Sequence, residues 1–71
     1  MIKADNAAIG WDAQKKAWRV RIQIGEEVIK RPASDRKVPH EASEETLRTL
    51  AVKAAEDDGY AVDPAAVSIV R

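Results

Sequence analysis

Two arginines are the residues best placed to do chemistry in this chain. Arg19 and Arg21 alternate with apolar residues along Ala17–Ile24, and a period of two over such a segment is typical of a half-buried strand. Both guanidinium groups therefore point to the same side of the strand, roughly 6.5–7 Å apart. On an exposed sheet they could bond phosphates or guanine edges of DNA. The alternative is a solvated face on which they pair with the carboxylates of Asp12, Glu26 or Glu27.

Other basic residues extend this patch along the sheet. Lys15 and Lys16 lie in a polar segment that is predicted to form a hairpin turn. On the strand that follows, either Lys30 or Arg31 extends the patch next to the two arginines. Such a row of cations on a sheet is typical of a surface that meets a polyanion.

The two tryptophans have different expected environments. Trp18 shares a strand face with Val20 and Ile22, so it is predicted to lie in the core. Trp11 is predicted to lie across the hairpin from Trp18 and to be half exposed, where its ring could stack on or anchor a partner. The predicted nucleic-acid-binding residues are Arg19, Arg21, Lys15, Lys16, Lys30 and Trp11.

A cluster of acidic residues gives a second candidate surface. Glu56, Asp57 and Asp58 end a predicted helix, where three carboxylates oppose the helix dipole. Together with Glu45 they could bind a basic protein partner, for example a nucleic-acid-binding protein whose ligand they imitate. The other interpretation is a frayed, solvated helix end.

The sequence contains few of the residues that catalytic or metal sites require. It has no cysteine and a single histidine, His40, which excludes disulfides and thiolate metal sites and argues against structural zinc. It has no glycine-rich phosphate loop. His40 could act as a general base only in a cleft with an orienting partner, and we interpret it as an exposed loop residue. We therefore predict a non-enzymatic protein with no catalytic residues, no metal site and no cofactor.

Length and charge limit the class of protein. With 71 residues the chain is predicted to form one domain, residues 1–71, with a small core of marginal stability. Formal net charge is zero, but residues 1–39 carry nine basic and five acidic groups whereas residues 40–71 carry three and seven. This asymmetry predicts a basic sheet face and an acidic helix face.

The location of the protein is predicted from what the sequence lacks. No apolar run is long enough for a membrane helix, and no secretion signal is visible. The lack of cysteine fits a cytoplasmic protein. Because the chain begins at Met1, we expect a small complete protein.

Periodicity predicts three strands, one helix and a final strand. The strands span 7–12, 17–24, 27–31 and Val67–Val70, with Val67 and Ile69 inward, while residues 1–6 form a loose N-terminus and 32–42 a long loop. The fold class is therefore α+β: a small antiparallel sheet, β-β-β-α-β, with one helix packed on one face in two layers. The other face of the sheet is left open.

The helix is predicted between an N-cap at Ser43 and a left-handed residue at Gly59. Glu44 and Arg48 are spaced for an i,i+4 ion pair. An apolar stripe is expected to pack against the strand face of Trp18. The stripe consists of Leu47, Leu50, Ala51 and Ala54.

The segments GWDAQKKAWRVRIQIGEEVIK and SEETLRTLAVKAAEDDGYAV resemble small DNA-binding domains of three strands and one helix. These are the plant ethylene-response-factor type, their relatives in phage homing endonucleases, and the arm-binding domains of tyrosine integrases. The residues that fit are Trp11, Lys16, Trp18, Val20, Ile22 and Gly25. The resemblance implies that Arg19, Arg21 and Trp11 enter the major groove of double-stranded DNA. Zero net charge and the added C-terminal strand depart from that pattern.

The strand–strand–helix–strand outline is also similar to small bacterial proteins and to phage anti-CRISPR inhibitors, which implies a protein partner instead. We therefore predict a bacterial or phage binding module, with DNA binding through the basic sheet face as the first function. A protein-interaction module, such as an inhibitor or a regulatory subunit, is the alternative. Val67–Val70 could also pair across a two-fold axis and form a homodimer.

Overall fold

The computed structural model describes residues 1–33 and 37–70, so the centre of the predicted loop 32–42 lies outside the described residues. Within these ranges the chain forms six strands, one α-helix and one turn of 3₁₀ helix. The helix packs against a sheet, which confirms the predicted α+β class. In chain order the elements are β1 (Ile2–Lys3), β2 (Asn6–Asp12), β3 (Ala17–Ile24), β4 (Glu27–Pro32), α1 (Glu44–Asp57), β5 (Tyr60–Ala61), the 3₁₀ turn (Pro64–Ala66) and β6 (Val67–Val70).

The main sheet has the strand order β4-β3-β2-β6. β3 pairs antiparallel with both β2 and β4, whereas β6 pairs parallel with β2. The prediction of a wholly antiparallel sheet is therefore wrong at β6. The alternation of inward and outward side chains reveals a strand but not its direction, and the passage through α1 brings the chain back alongside β2 in the same sense.

The predicted loose N-terminus is also wrong. β1 pairs parallel with β5, with Ile2 opposite Tyr60 and Lys3 opposite Ala61. The Ala4 N–H then donates to the Ala61 carbonyl at 2.9 Å, and the Ala4 side chain is buried. Backbone hydrogen bonds carry this pairing, and a two-residue strand has no side-chain period that sequence inspection could detect.

The core lies between α1 and one face of the main sheet. The predicted stripe of α1 is buried, together with Ala55. It packs into one cluster with Trp18, which is 1% exposed. The sheet side of that cluster is formed by Ala7, Ile9, Val20, Ile22 and Val67. Half of the helix stripe is alanine, so α1 can lie close to the sheet and cover one face only.

The N-terminal end of α1 has the cap and the ion pair that the sequence predicts. Ser43 is the N-cap and accepts a hydrogen bond from the Thr46 N–H at 3.2 Å. Glu44 and Arg48 form the predicted i,i+4 ion pair, with 3.7 Å between Oε2 and Nη1.

No helix in the described part of the chain is long and apolar enough to cross a membrane.

Gly59 ends the helix in the left-handed region, with φ of 86°. Its N–H donates to the Glu56 carbonyl at 2.9 Å. We expect Gly59→Ala to destabilise the protein by about 1 kcal/mol, because a β-carbon is strained at this φ, and to lower Tm by roughly 4–8 °C in thermal denaturation.

Gly10→Ala is the matched control for that experiment. Gly10 lies outside the left-handed region, and an added β-carbon would meet only the Val70 carbonyl oxygen at 3.7 Å and Cβ at 3.9 Å. We expect its Tm to stay the same or to rise, because glycine is the less favourable residue inside a strand. Equal losses for the two variants would contradict this account of Gly59.

Candidate nucleic-acid interface

The face of the main sheet that α1 leaves uncovered carries the predicted basic residues. Strand alternation places Arg19 and Arg21 of β3 on this open face, and both side chains are exposed. Lys30 of β4 lies opposite Arg21, and Gly10 of β2 lies opposite Arg19. Among the described strand residues of this face, Asp12 is the one carboxylate.

Asp12 is occupied in shaping the turn between β2 and β3. Its Oδ1 accepts hydrogen bonds from the N–H groups of Gln14 at 3.0 Å and Lys15 at 3.2 Å. Its Oδ2 lies 3.4 Å from Nη1 of Arg19. The Asp12 side chain is 12% exposed and that of Arg19 is 52% exposed. The predicted alternative of internal pairing is therefore present for Arg19, but such a partly exposed pair contributes less than about 1 kcal/mol.

Arg21 and Lys30 are opposite each other without a carboxylate between them. They form a direct cross-strand pair, both are exposed, and neither takes part in an ion pair within the described residues. Like charges directly opposite each other destabilise a sheet. The pair therefore costs folding free energy, and no carboxylate of the described chain offsets that cost.

The turn lysines lie at one end of this face. Lys16 has φ of 52°, a left-handed conformation that costs a residue with a β-carbon about 1 kcal/mol. Glycine or asparagine would meet the same turn with less strain. The presence of lysine at this position is therefore not explained by the geometry of the turn.

Two concavities adjoin these residues. The first, which we call the groove, has a volume of about 370 Å³ and is lined by Arg19, Arg21 and Lys30 together with Gly10 and Asp12. The second, the cationic hollow, has a volume of about 270 Å³. Among the described residues, its lining includes five basic side chains and no carboxylate: Lys15, Lys16, Arg19, Lys30 and Arg31. Arg19 and Lys30 line both, so the two concavities are neighbours.

Arg31 is a member of the hollow that the predicted set of site residues does not contain. Its guanidinium forms an ion pair with Asp58, and its Nη1 donates to the Lys30 carbonyl at 3.0 Å. The signal in the sequence that could have indicated Arg31 as a site residue was its position next to Lys30. Strand alternation, however, assigns neighbouring residues to opposite faces, so periodicity alone cannot show that both line one concavity.

Trp11 is placed differently from the arginines. Its ring centroid lies 5.2 Å from that of Trp18 and 5.0 Å from that of His40. The residue borders the groove, but its half-buried ring packs against the core. All six predicted nucleic-acid-binding residues therefore line one or both concavities, but Trp11 differs from the others because its ring also packs against the core.

His40 is not the exposed loop residue that the sequence indicated. It is half-buried, and its ring stacks on Trp18 at 5.9 Å with an interplanar angle of 13°. The neighbouring Pro39 carbonyl accepts a hydrogen bond from Trp18 Nε1–H at 3.1 Å. This anchoring of the loop by an indole depends on contacts between distant residues, which a sequence pattern does not contain. His40 lines neither the groove nor the hollow.

The alternative acidic surface is divided between the two ends of α1. Glu45 lies in the first turn, whereas Glu56 and Asp57 lie in the last, about 17–18 Å away at 1.5 Å per residue. Asp58 is the C-cap and pairs with Arg31. Within the described ranges, no three His, Cys, Asp or Glu side chains lie close enough to hold a metal ion.

Comparisons of this chain with models of protein families, with curated proteins and with solved structures gave no match. The resemblance to small DNA-binding domains therefore stays a prediction.

Proposed function

We propose that this protein is a non-enzymatic binding module that contacts double-stranded DNA through the open face of its sheet. The observation that carries the proposal is the exposed pair of Arg21 and Lys30, which are direct cross-strand neighbours and lack a carboxylate partner in the described chain. A phosphate near this pair would attract both cations, and this attraction would offset the repulsion between them.

The spacing of the arginines supports DNA as the anion. Arg19 and Arg21 are two residues apart on one strand, which corresponds to roughly 6.6–6.8 Å. Two guanidinium groups that lie this close together on one exposed strand can contact neighbouring phosphates or base edges of one DNA strand at the same time.

The shape of the sheet supports the same partner. The major groove is about 12 Å wide and admits a two-stranded β-ribbon, and β3 and β4 are joined by a tight turn at Gly25, which has φ of 59°. The carboxylate of Asp12 opposes DNA only weakly, because Arg19 offsets its charge and its Oδ1 accepts two backbone hydrogen bonds.

The experiment that tests this function is a fluorescence-anisotropy titration of labelled duplex DNA with the protein. If about four cations neutralise phosphates, the logarithm of the association constant should fall with a slope near −3.6 against the logarithm of the salt concentration. Affinity should then drop roughly 100-fold between about 50 and 200 mM salt. Absence of binding at the lower salt, or binding that does not respond to salt, would remove DNA as the partner.

A further inference from the structure

The cationic hollow differs from the groove in its chemistry. Its five basic residues come from three elements, namely the β2–β3 turn, β3 and β4, and no carboxylate of the described residues lines it. We propose that the hollow holds a backbone phosphate of the bound DNA, while Arg21 in the adjoining groove faces the base edges. This inference rests on the proposed function and adds a division of roles within it.

The size of the hollow fits this ligand. Its volume of about 270 Å³ corresponds to roughly nine water molecules at about 30 Å³ each. It lies below the range of about 300–1,000 Å³ that is typical of pockets for drug-sized molecules. A phosphate group with part of its sugar is small enough to enter such a space.

The cations of the hollow differ in whether a carboxylate pairs with them. Arg31 is held by Asp58 and by the Lys30 carbonyl, and Arg19 is held by Asp12. Lys15, Lys16 and Lys30 have no ion-pair partner in the described residues. A lysine ammonium binds phosphate as a point charge without demanding one orientation, so these three can follow the backbone of any DNA sequence.

The adjacency of the hollow and the groove gives the phosphate a positioning role. Arg19 and Lys30 line both concavities, so a phosphate in the hollow lies next to whatever Arg21 contacts. Phosphate contacts fix the register of a protein on DNA, and contacts to base edges read the sequence. The lysines therefore set the position, and the neighbouring Arg21 carries the sequence preference.

The test is the double variant Lys15→Gln with Lys16→Gln, measured against several duplex sequences. Glutamine keeps most of the side-chain length, and at position 16 it has the same backbone strain as lysine. We expect affinity at low salt to fall roughly 10-fold for every sequence, and the salt slope to become shallower by about 1.8, because each lost phosphate contact removes about 0.9. Lys3→Gln with Lys53→Gln is the matched control, since both lysines are exposed and line neither concavity.

A second measurement follows the backbone amides of Lys15, Lys16 and Arg19 by NMR during titration with pyrophosphate and with duplex DNA. Shifts of these amides with DNA support the inference. If the wild-type protein binds DNA but the lysine variant keeps its affinity and salt slope, the hollow is not a phosphate site and the proposed function still stands. If DNA does not bind, both proposals fail, and shifts with pyrophosphate alone would assign the hollow to a free phosphate instead.

Discussion

Replacement of both Arg19 and Arg21 by alanine is expected to lower the affinity for duplex DNA at least ~30-fold. An arginine contact to DNA contributes about 1–3 kcal/mol, and each 1.4 kcal/mol corresponds to about a tenfold change in affinity. The fold should survive, because both side chains are exposed and Asp12 keeps its hydrogen bonds from the N–H groups of Gln14 and Lys15. Anisotropy titrations report the affinity, and circular dichroism confirms that the variant is folded.

The control for this pair is Arg48→Ala with Lys53→Ala, which removes the same charge from α1 on the opposite layer. We expect it to reduce affinity less than about threefold, because charges farther away than a Debye length of about 10 Å are largely screened. Equal losses in the two double variants would mean that DNA responds to overall charge rather than to the open face. An Arg19/Arg21 variant with wild-type affinity would refute the proposed function.

Trp18→Ala is expected to unfold most of the protein at room temperature. Trp18 is 1% exposed, stacks with His40 and donates a hydrogen bond to the Pro39 carbonyl. Truncation of a buried tryptophan costs about 3–5 kcal/mol. A chain of this length has a total free energy of unfolding of roughly 3.5–10.7 kcal/mol, at 0.05–0.15 kcal/mol per residue. A core this small lies at the lower end of that range, so the loss is comparable with the total free energy of unfolding.

Urea denaturation followed by circular dichroism measures this effect. Trp11→Ala serves as the comparison, because the Trp11 ring lies in the same aromatic cluster but is only half-buried. We expect Trp11→Ala to cost less free energy of unfolding than Trp18→Ala and to leave a folded protein. A Trp18→Ala variant with a wild-type midpoint would contradict the assignment of Trp18 to the centre of the core.

Much of the fold could be predicted from local sequence. The bounds of β3 follow from the alternation in Ala17–Ile24, and those of α1 follow from the cap at Ser43 and the left-handed Gly59. These features depend on residues that are close together in the chain, so side-chain type and spacing are sufficient. Even the opposition of Arg21 and Lys30 follows from the two-residue turn that begins at Gly25.

Other features depend on contacts between distant parts of the chain. The pairing of β1 with β5 is made by backbone groups, and the direction of β6 depends on how α1 crosses the sheet. The partial burial of His40 depends on its contacts with Trp11 and Trp18, which are distant from it in the sequence. None of these leaves a period or a motif in the amino-acid sequence.

Only part of the candidate site could be predicted from the sequence. Alternation places Arg19 and Arg21 on one face, but it does not tell which cations remain unpaired. That depends on side-chain conformation: Arg19 reaches Asp12, and Arg31 reaches Asp58 at the end of α1. Arg21 and Lys30 have no such neighbour in the described chain, and this difference separates the free cations from the paired ones.

The parallel pairing of β6 with β2 also has a consequence for how the protein folds. It places Ala7 opposite Val67, so it closes a loop of about 60 residues at an entropic cost of roughly 3–4 kcal/mol. The strands β2, β3 and β4 are instead joined by two short turns. We expect this three-stranded unit to assemble first, with β6 added late, and the folding rate to lie between those of helical bundles and all-β domains. The three-stranded unit contains Arg19, Arg21 and Lys30, so the open face forms before β6 pairs with β2.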